Sequence, residues 1–591
     1  MLGDKLSSHV LSRFQWVFCQ LETLRHAVQP DVRALLEKLP KTLDETYERV
    51  LKDIKESNRE HARRLLHCLA VSVRPLRVEE LAEILTFDFN TAQGVIPNFH
   101  ADRRPKDPEE AVLSLCSSLI TIVDNRGSRV VQFSHLSVKE FLTSNHLAHS
   151  TGDLSQYHIL PGAAHSILAK VCLGFLLHSE ERNDDKSVKA SPLAEYAARH
   201  WVAHAQFEDI ASHLEDGMRS LFDPDKPHFL AWIGLYDMDG ESGGKTPSEI
   251  PSPLYYSALC GFHDLVRHIV IENPQDVNTV GGSFGYPLVA ALCKNHIRVA
   301  ELLLEHGGSI DVRDTRKQTA LLRTLDQHDK VSIDVVRFLL EHGADVNALR
   351  YDLWTPLHLA VNIGDLSVTR MLLEHQADVN SHNDDGQAPL HLLSRRETSQ
   401  EQDDDDSEIA KLLLERGTNV DEKDKDNATP LHLASYNKRL KMVQVLLDHG
   451  ANTNVENDQG ETSLQIVLKS DYNTHEEGIA IALLLLRHSA EAYARDKYHV
   501  SSSELACCFG KETILQVLLG DGEKMKPENT WDLTTFCPWI QGEHFSRECR
   551  LIVSHMFSRL RHGRKCARHV QHNPAPFRII LWKARDGTNP A

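Results

Sequence analysis

Two short stretches of this chain bring together residue types suited to chemistry. GESGGKT at 240–246 combines a glycine-rich turn, a lysine and a hydroxyl, the set that cradles phosphate at a helix start. Its spacing fails. A phosphate loop ending at Lys245 would need its first glycine at 239, where Asp239 stands, and Pro247 and Pro251 interrupt the helix that should follow. GGSFG at 281–285 has the spacing of a hydrolase nucleophile elbow, which lifts a serine on a strained strand-to-helix turn. Counted back from Pro287, Ser283 instead falls in a turn between two helix pairs, with no strand expected beneath it. Cys537, Cys549, Cys566, His569 and His572 crowd the tail without the paired short spacings of a zinc site, so no metal set is expected. No catalytic constellation is intact, and a non-enzymatic protein is expected.

The elements that position these residues repeat. Residues 355–377 read TPLHLAVNIGDLSVTRMLLEHQA, and 429–451 read TPLHLASYNKRLKMVQVLLDHGA. Thr429 caps a helix and Pro430 fits its first position, where a missing amide hydrogen costs nothing. Leu431, Leu433 and Ala434 give that helix an apolar face, and Val443, Val445, Leu446 and Leu447 give the next helix another. Gly450 supplies the left-handed residue that ends it. Leu359 and Leu433 are expected to be buried between units. Neither helix buries its face alone, so the units must stack.

The proline-equivalent positions are Pro253, Pro287, Ala320, Pro356, Pro389, Pro430, Ser463 and Ser502, three of whose seven spacings are 33 residues. With TPLHLA twice, residues 252–522 closely resemble about eight ankyrin repeats. Gln376 and Ser489 take the place of the helix-ending glycine, and Lys317 and Leu353 that of the turn glycine, so each is expected in the left-handed region. His358, His391 and His432 are expected to bond within the turn. His306, His342, His375 and His449 end second helices, where positive charge suits the macrodipole.

Ahead of the repeats, residues 43–55 carry Leu43, Tyr47, Val50, Leu51 and Ile54 at helical spacing behind a Thr42–Glu45 capping box. Helices are expected over 61–73, 78–85 and 111–119. A hairpin follows, 120–123 with 130–133 around Asn125-Arg126-Gly127, and then a helix begun by a capping box at Ser137–Glu140. Three helices and a hairpin make a winged-helix arrangement. Further helices over 163–177 and 192–205 bridge to the repeats, and the Gly-, Ser- and Pro-rich stretch from 237 reads as a linker.

LPKTLDETYERVL at 39–51, VQFSHLSVKEFL at 131–142 and SPLAEYAARHWVAHA at 191–205 resemble, in order, the region joining NTPase to repeats in fungal NACHT–ankyrin proteins. The resemblance implies that a nucleotide-switched NACHT domain precedes the winged helix, outside this sequence. It implies recognition or signalling through the repeats, and for His135 a contact to bound nucleotide if such a domain is present. Without one, His135 is expected to hydrogen-bond at the hairpin–helix junction. The fold class expected is mainly α: a helical and winged-helix module followed by an ankyrin-repeat solenoid. The expected domains are 1–59, 60–150, 151–236, 237–251, 252–522 and 523–591.

What then remains is a surface for a protein partner, with no cofactor. The turns between repeats project as fingertips: Arg350, Tyr351, Asp352 and Trp354; Asn383, Asp384, Asp385 and Gln387; Lys425, Asp426 and Asn427; Asn457, Asp458, Gln459 and Glu461. Tyr and Trp beside Arg is the composition of a binding hot spot, although Trp354 packing on its neighbour would account for it equally. The insertion at 395–408 holds four consecutive aspartates, whose mutual repulsion predicts a solvated loop.

A net charge of −19 over 591 residues argues against nucleic acid as a partner. Residues 523–591 reverse the sign, with 12 Lys and Arg against 6 Asp and Glu. There Phe545, Cys549, Ile552, Val553, Met556 and Leu560 form an apolar stripe amid arginines, a basic amphipathic helix that would cap the last repeat or touch acidic surfaces weakly. No apolar run of about 18 residues marks a membrane span, and no secretory signal opens the chain. Eleven cysteines without framework spacing are expected as buried, reduced thiols of a cytoplasmic protein.

Overall fold

The computed structural model describes residues 42–89, 96–150, 152–178, 191–240, 250–314, 316–326, 331–396, 402–469, 476–491, 494–502 and 505–506. The tail stripe, its cysteines and histidines, the segment before 42 and most of GESGGKT lie outside them. Contacts divide the chain into two compact units, one up to Asp384 and one from Asp385.

The first unit opens with α1 (Leu43–Lys52), capped by Thr42, whose hydroxyl accepts the Glu45 N–H at 3.1 Å. The winged-helix order follows as expected: α2 (Arg59–Val71), α3 (Val78–Ile84), α4 (Pro108–Cys116), the hairpin β4 (Ile120–Asn125) and β5 (Ser128–Phe133), and α5 (Leu136–Leu142). The hairpin turns on Arg126 and Gly127, both left-handed at φ 51° and 85°, so its twist matches that of the strands. Three strands are additional to the expectation. β1 (Leu76–Arg77) joins the hairpin in the order β1-β5-β4, and β2 (Phe87–Asp88) pairs with β3 (Asn98–Phe99). At two residues each, they are too short to show an alternating pattern. Leu65, Leu66, Leu81, Val131, Val138 and Leu142 form the core. α1 packs onto it through Tyr47, whose ring lies 5.4 Å from that of Phe141.

The short α6 (Asn145–Ala148) closes the winged helix, and four longer helices make the bridge: α7 (Pro161–Leu177), α8 (Ala194–Ala205), α9 (Glu215–Phe222) and α10 (His228–Leu235). α7 is apolar on most of its circumference because it is buried on most of it. Trp201 lies 5.3 Å from both Trp232 and Phe262, and the Trp232 indole donates to Ala198 O at 3.0 Å, so aromatic packing joins bridge to repeats. Among the described residues no helix is long and apolar enough to cross a membrane.

Helix pairs come next. The first unit holds α11 (Pro253–Cys260) with α12 (His263–Glu272), α13 (Pro287–Cys293) with α14 (Ile297–Glu305), α15 (Ala320–Leu325) with α16 (Ile333–Glu341), and α17 (Pro356–Ile363) with α18 (Leu366–Glu374). The second holds α19 (Pro389–Arg395) with α20 (Gln402–Glu415), α21 (Pro430–Tyr436) with α22 (Leu440–Asp448), and α23 (Ser463–Lys469) with α24 (Glu476–Arg487). The eighth repeat expected from Ser502 lies mostly outside the described residues. Lys317, Leu353, Gln376 and Ser489 all stand at positive φ, between 59° and 67°, as expected.

Three expectations are corrected. Leu359 is buried, but Leu433 at the same repeat position is half-buried, and Leu431 and Ala434 carry the core there. The aspartate run is no loop. Asp403, Asp404 and Asp405 sit in the first turn of α20, where acidic side chains favour the helix dipole. Arg439 reaches Asp403 and buried Asp406 at 2.8 Å each, and Arg396 pairs with Asp406, so opposite charge cancels the repulsion. Finally, the linker's first residues are fastened down. Tyr256 donates to Asp237 and Tyr255 to buried Asp239, each at 2.7 Å.

Candidate interaction surface

The fingers are built from the backbone outward. Asp314, Asp424, Asn457 and Asp496 each open one, and each side-chain oxygen accepts the N–H groups two and four residues on, at 2.8–3.0 Å. A left-handed residue then turns the chain: Lys317, Asn427, Gly460 or His499. Successive tips are tied by main-chain bonds. In the first unit Asp384 N–H donates to Asp352 O at 3.1 Å; in the second, Lys425 donates to Asp385 O, Asp458 to Asp426 O and Lys497 to Gln459 O, at 3.0–3.1 Å.

The signature histidines hold the bases of the fingers. His432 Nδ1 accepts the Thr429 N–H at 3.0 Å, leaving the proton on Nε2, which faces Val455 O at 3.0 Å and Glu461 O at 3.1 Å. His391 does the same toward Glu422 O and Ala428 O. The expectation of bonding within the turn is therefore extended, because each imidazole also bridges to the next repeat. Burial pushes both below the usual histidine range, keeping them neutral. His306, His342, His375 and His449 bond the carbonyl four residues back through Nδ1, at 2.8–3.0 Å.

The expected fingertip residues separate into two groups. Tyr351, Asp384, Asp385, Lys425, Asp426, Asn427, Asp458 and Gln459 are exposed. Asn383 and Gln387 are buried, and Asn457 is the opening residue of its finger, so these three build the surface rather than present it. Glu461 is half-buried and pairs with Lys469 at 2.6 Å. The signal for the opening residues was an Asp or Asn three positions before the left-handed residue; their polarity concealed it among candidate binding residues.

The finger at 350 departs from the others. Arg350 replaces the opening acid, and Asp352 supplies the carboxylate from within the turn, meeting the guanidinium at 2.5 and 2.7 Å. Asp326 holds Arg350 from the other side at 2.8 Å. Burial works to raise the Asp352 carboxyl, and the Arg350 hydrogen bonds override it, holding it below the usual carboxylate range. The guanidinium lies 5.5 Å from the Tyr351 ring and 5.4 Å from that of Trp354. Trp354 is half-buried, 6.0 Å from His358.

The candidates for chemistry resolve structurally. Ser283 donates its hydroxyl and its N–H to Asp239, both at 2.6 Å, with no strand beneath it among the described residues. His135, not Ser137, caps α5: its Nδ1 accepts the Ser137 N–H at 3.2 Å and lies 2.6 Å from the Ser137 hydroxyl, which meets Tyr47 OH at 2.8 Å. Cys68, Cys116, Cys172 and Cys260 are buried free thiols, and burial pushes the first two up to about 12.

Comparison with known proteins agrees with this anatomy. Residues 254–350 and 398–496 match a family model described as ankyrin repeats (3 copies), and 334–393 one described as ankyrin repeats (many copies). Residues 47–152 match the winged helix domain of GPI inositol-deacylase. The azaphilone pigments biosynthesis cluster protein L of Monascus ruber is 29% identical over 49% of this chain and 64% of its own. Ankyrin repeat and SAM domain-containing protein 6 of Mus musculus is 31% identical over 20% and 14%, and vegetative incompatibility protein HET-E-1 of Podospora anserina 31% over 24% and 10%. The chain thus spans less than two thirds of the length of each of these relatives.

Proposed function

We infer that this chain, a winged-helix domain followed by ankyrin repeats, is a non-enzymatic scaffold or receptor-type signalling protein that binds a protein partner through its fingertips and concave face. The observation that carries the reading is the division of labour within each finger. Opening acids, histidines and backbone ladders satisfy most polar groups of the fingers internally, and side chains such as Tyr351, Lys425, Asp426 and Gln459 stand exposed at the tips. The similarity of part of the chain to a vegetative incompatibility protein supports a recognition role. The buried free thiols support a reducing, cytoplasmic location.

The test is to identify proteins that co-purify with the tagged chain and titrate each, purified, against finger variants. Lys425→Ala with Asp426→Ala, or Tyr351→Ala with Trp354→Ala, is expected to weaken binding by about tenfold or more. Affinity indifferent to every finger variant would refute the reading.

A second reading treats the chain as the C-terminal part of a nucleotide-switched NACHT NTPase. The observation favouring it is at the winged helix, where Leu136 is 68% exposed beside half-buried His135, a surface suited to a further domain. ATP hydrolysis by a longer form that loses nucleotide retention on His135→Ala would support it. Hydrolysis by residues 1–591 alone would contradict both readings.

A further inference from the structure

Most fingers combine two economical choices, an acidic or amide opening residue and a left-handed residue that tolerates positive φ. The finger at 349–354 makes neither. Leu353 takes the left-handed position at φ 60°, which a side chain of this size disfavours, and it is still 42% exposed, so burial compensates only in part. Leu349 is 40% exposed and Tyr351 66%, which puts three large apolar side chains on one turn. Arg350, between them, is 14% exposed and its charge is met by both Asp352 and Asp326. Within the loop Arg350 and Asp352 cancel, Asp326 adds one negative charge beside them, and large apolar side chains make up much of the exposed turn. Strain and exposed apolar surface together contribute nothing to folding, and both are retained where a partner covers them.

The flanks give this knob a polarity. On one side the preceding finger exposes Arg313, Arg316 and Lys317, with Arg313 donating to Leu349 O at 2.8 Å. On the other, Asp384 is exposed and its N–H is bonded to Asp352 O. An anionic lipid surface would meet Asp384 and exposed Asp345 with repulsion.

Resting on the protein-binding reading above, we propose that the finger at 349–354 is a preformed apolar knob that enters an apolar pocket of a folded protein, whose rim is acidic toward Arg313 and Lys317 and basic toward Asp384. The pocket removes Tyr351, Leu349 and Leu353 from water. The flanking charges fix orientation rather than supply the affinity.

The experiment places a photo-crosslinking p-benzoylphenylalanine at position 351 of the full chain in cells that make it, and maps the adducts by mass spectrometry. The cross-linked protein is then purified and titrated against the chain. Expected are an adduct at apolar residues of one protein, affinity lowered at least about tenfold by Tyr351→Ser and by Leu353→Gly, and a change under about threefold between low and high salt. Leu353→Gly should leave the unfolding midpoint equal or higher, which separates lost binding from lost fold. Adducts confined to lipid, Tyr351-dependent sedimentation with phosphatidylserine vesicles, the absence of any adduct, or affinity unchanged by both variants would each overturn the proposal. If Lys425→Ala with Asp426→Ala weakens the partner and Tyr351→Ser does not, the knob fails and the protein-binding reading stands. If neither matters, both fall.

Discussion

His432 joins two repeats with one ring, accepting from Thr429 and donating toward two carbonyls of the next finger. Gln465 occupies the same position of its own repeat and does the same work: Oε1 accepts the Thr462 N–H at 2.8 Å, and Nε2 donates to Ala494 O and Val500 O at 3.0 Å. His432→Gln should therefore cost little, whereas His432→Ala, which strands buried partners, should cost about 1–3 kcal/mol in urea unfolding. Equal losses would contradict the bridging role. Gln376, at φ 64° in a helix-ending slot, leads to the opposite sign: Gln376→Gly should stabilise by about 1 kcal/mol. Residues of this kind were legible in the sequence, because a left-handed slot is fixed by its distance from the helix around it. The opening Asp and Asn were not, since a polar residue at a turn reads identically whether its oxygen faces solvent or two backbone amides.

Among elements, α20 is where sequence reasoning failed. Four adjacent carboxylates predict repulsion only if their counter-charges are ignored, and these come from Arg396, ten residues before Asp406, and Arg439, thirty-three after it. Such pairings are set by stacking. Burial pushes the Asp406 carboxyl up, against the pull of both arginines. Asp406→Ala should leave Arg396 without its carboxylate and Arg439 with Asp403 alone, and destabilise the second unit by about 3 kcal/mol. Asp404→Ala, on an exposed side chain, should leave the unfolding midpoint unchanged. Comparable losses for the two would mean that charge count, not burial, governs the helix. Leu431→Ala, at a fully buried site of α21, should cost about 2–5 kcal/mol. The helix order of the winged helix was readable from period and turn signals; β1 was not, because two residues have no period.

At the scale of the whole molecule, buried or half-buried histidines held below their usual range recur in both units. His67, His165, His200, His204 and His296 in the first, and His391 and His432 in the second, are pushed below the usual range by burial, His204 to about 3. As pH falls below about 6.5, the unfolded chain takes up protons that the native imidazoles refuse, so stability present above that pH is lost progressively toward the depressed native values. Thermal melts should show a clear fall in midpoint from pH 7.5 to 5. His204→Gln, which keeps a polar group beside Tyr196 at 2.9 Å, should flatten that slope. The ladder of main-chain bonds between fingertips has a further consequence, for inheritance. Because those bonds use no side chain, they survive substitution of exposed tip residues such as Lys425 and Gln459, whereas Asn427 and Asp458 also touch each other across two tips. Duplicating or deleting one repeat would change which side chains stand at the tips while leaving the main-chain joinery of the remaining fingers in kind.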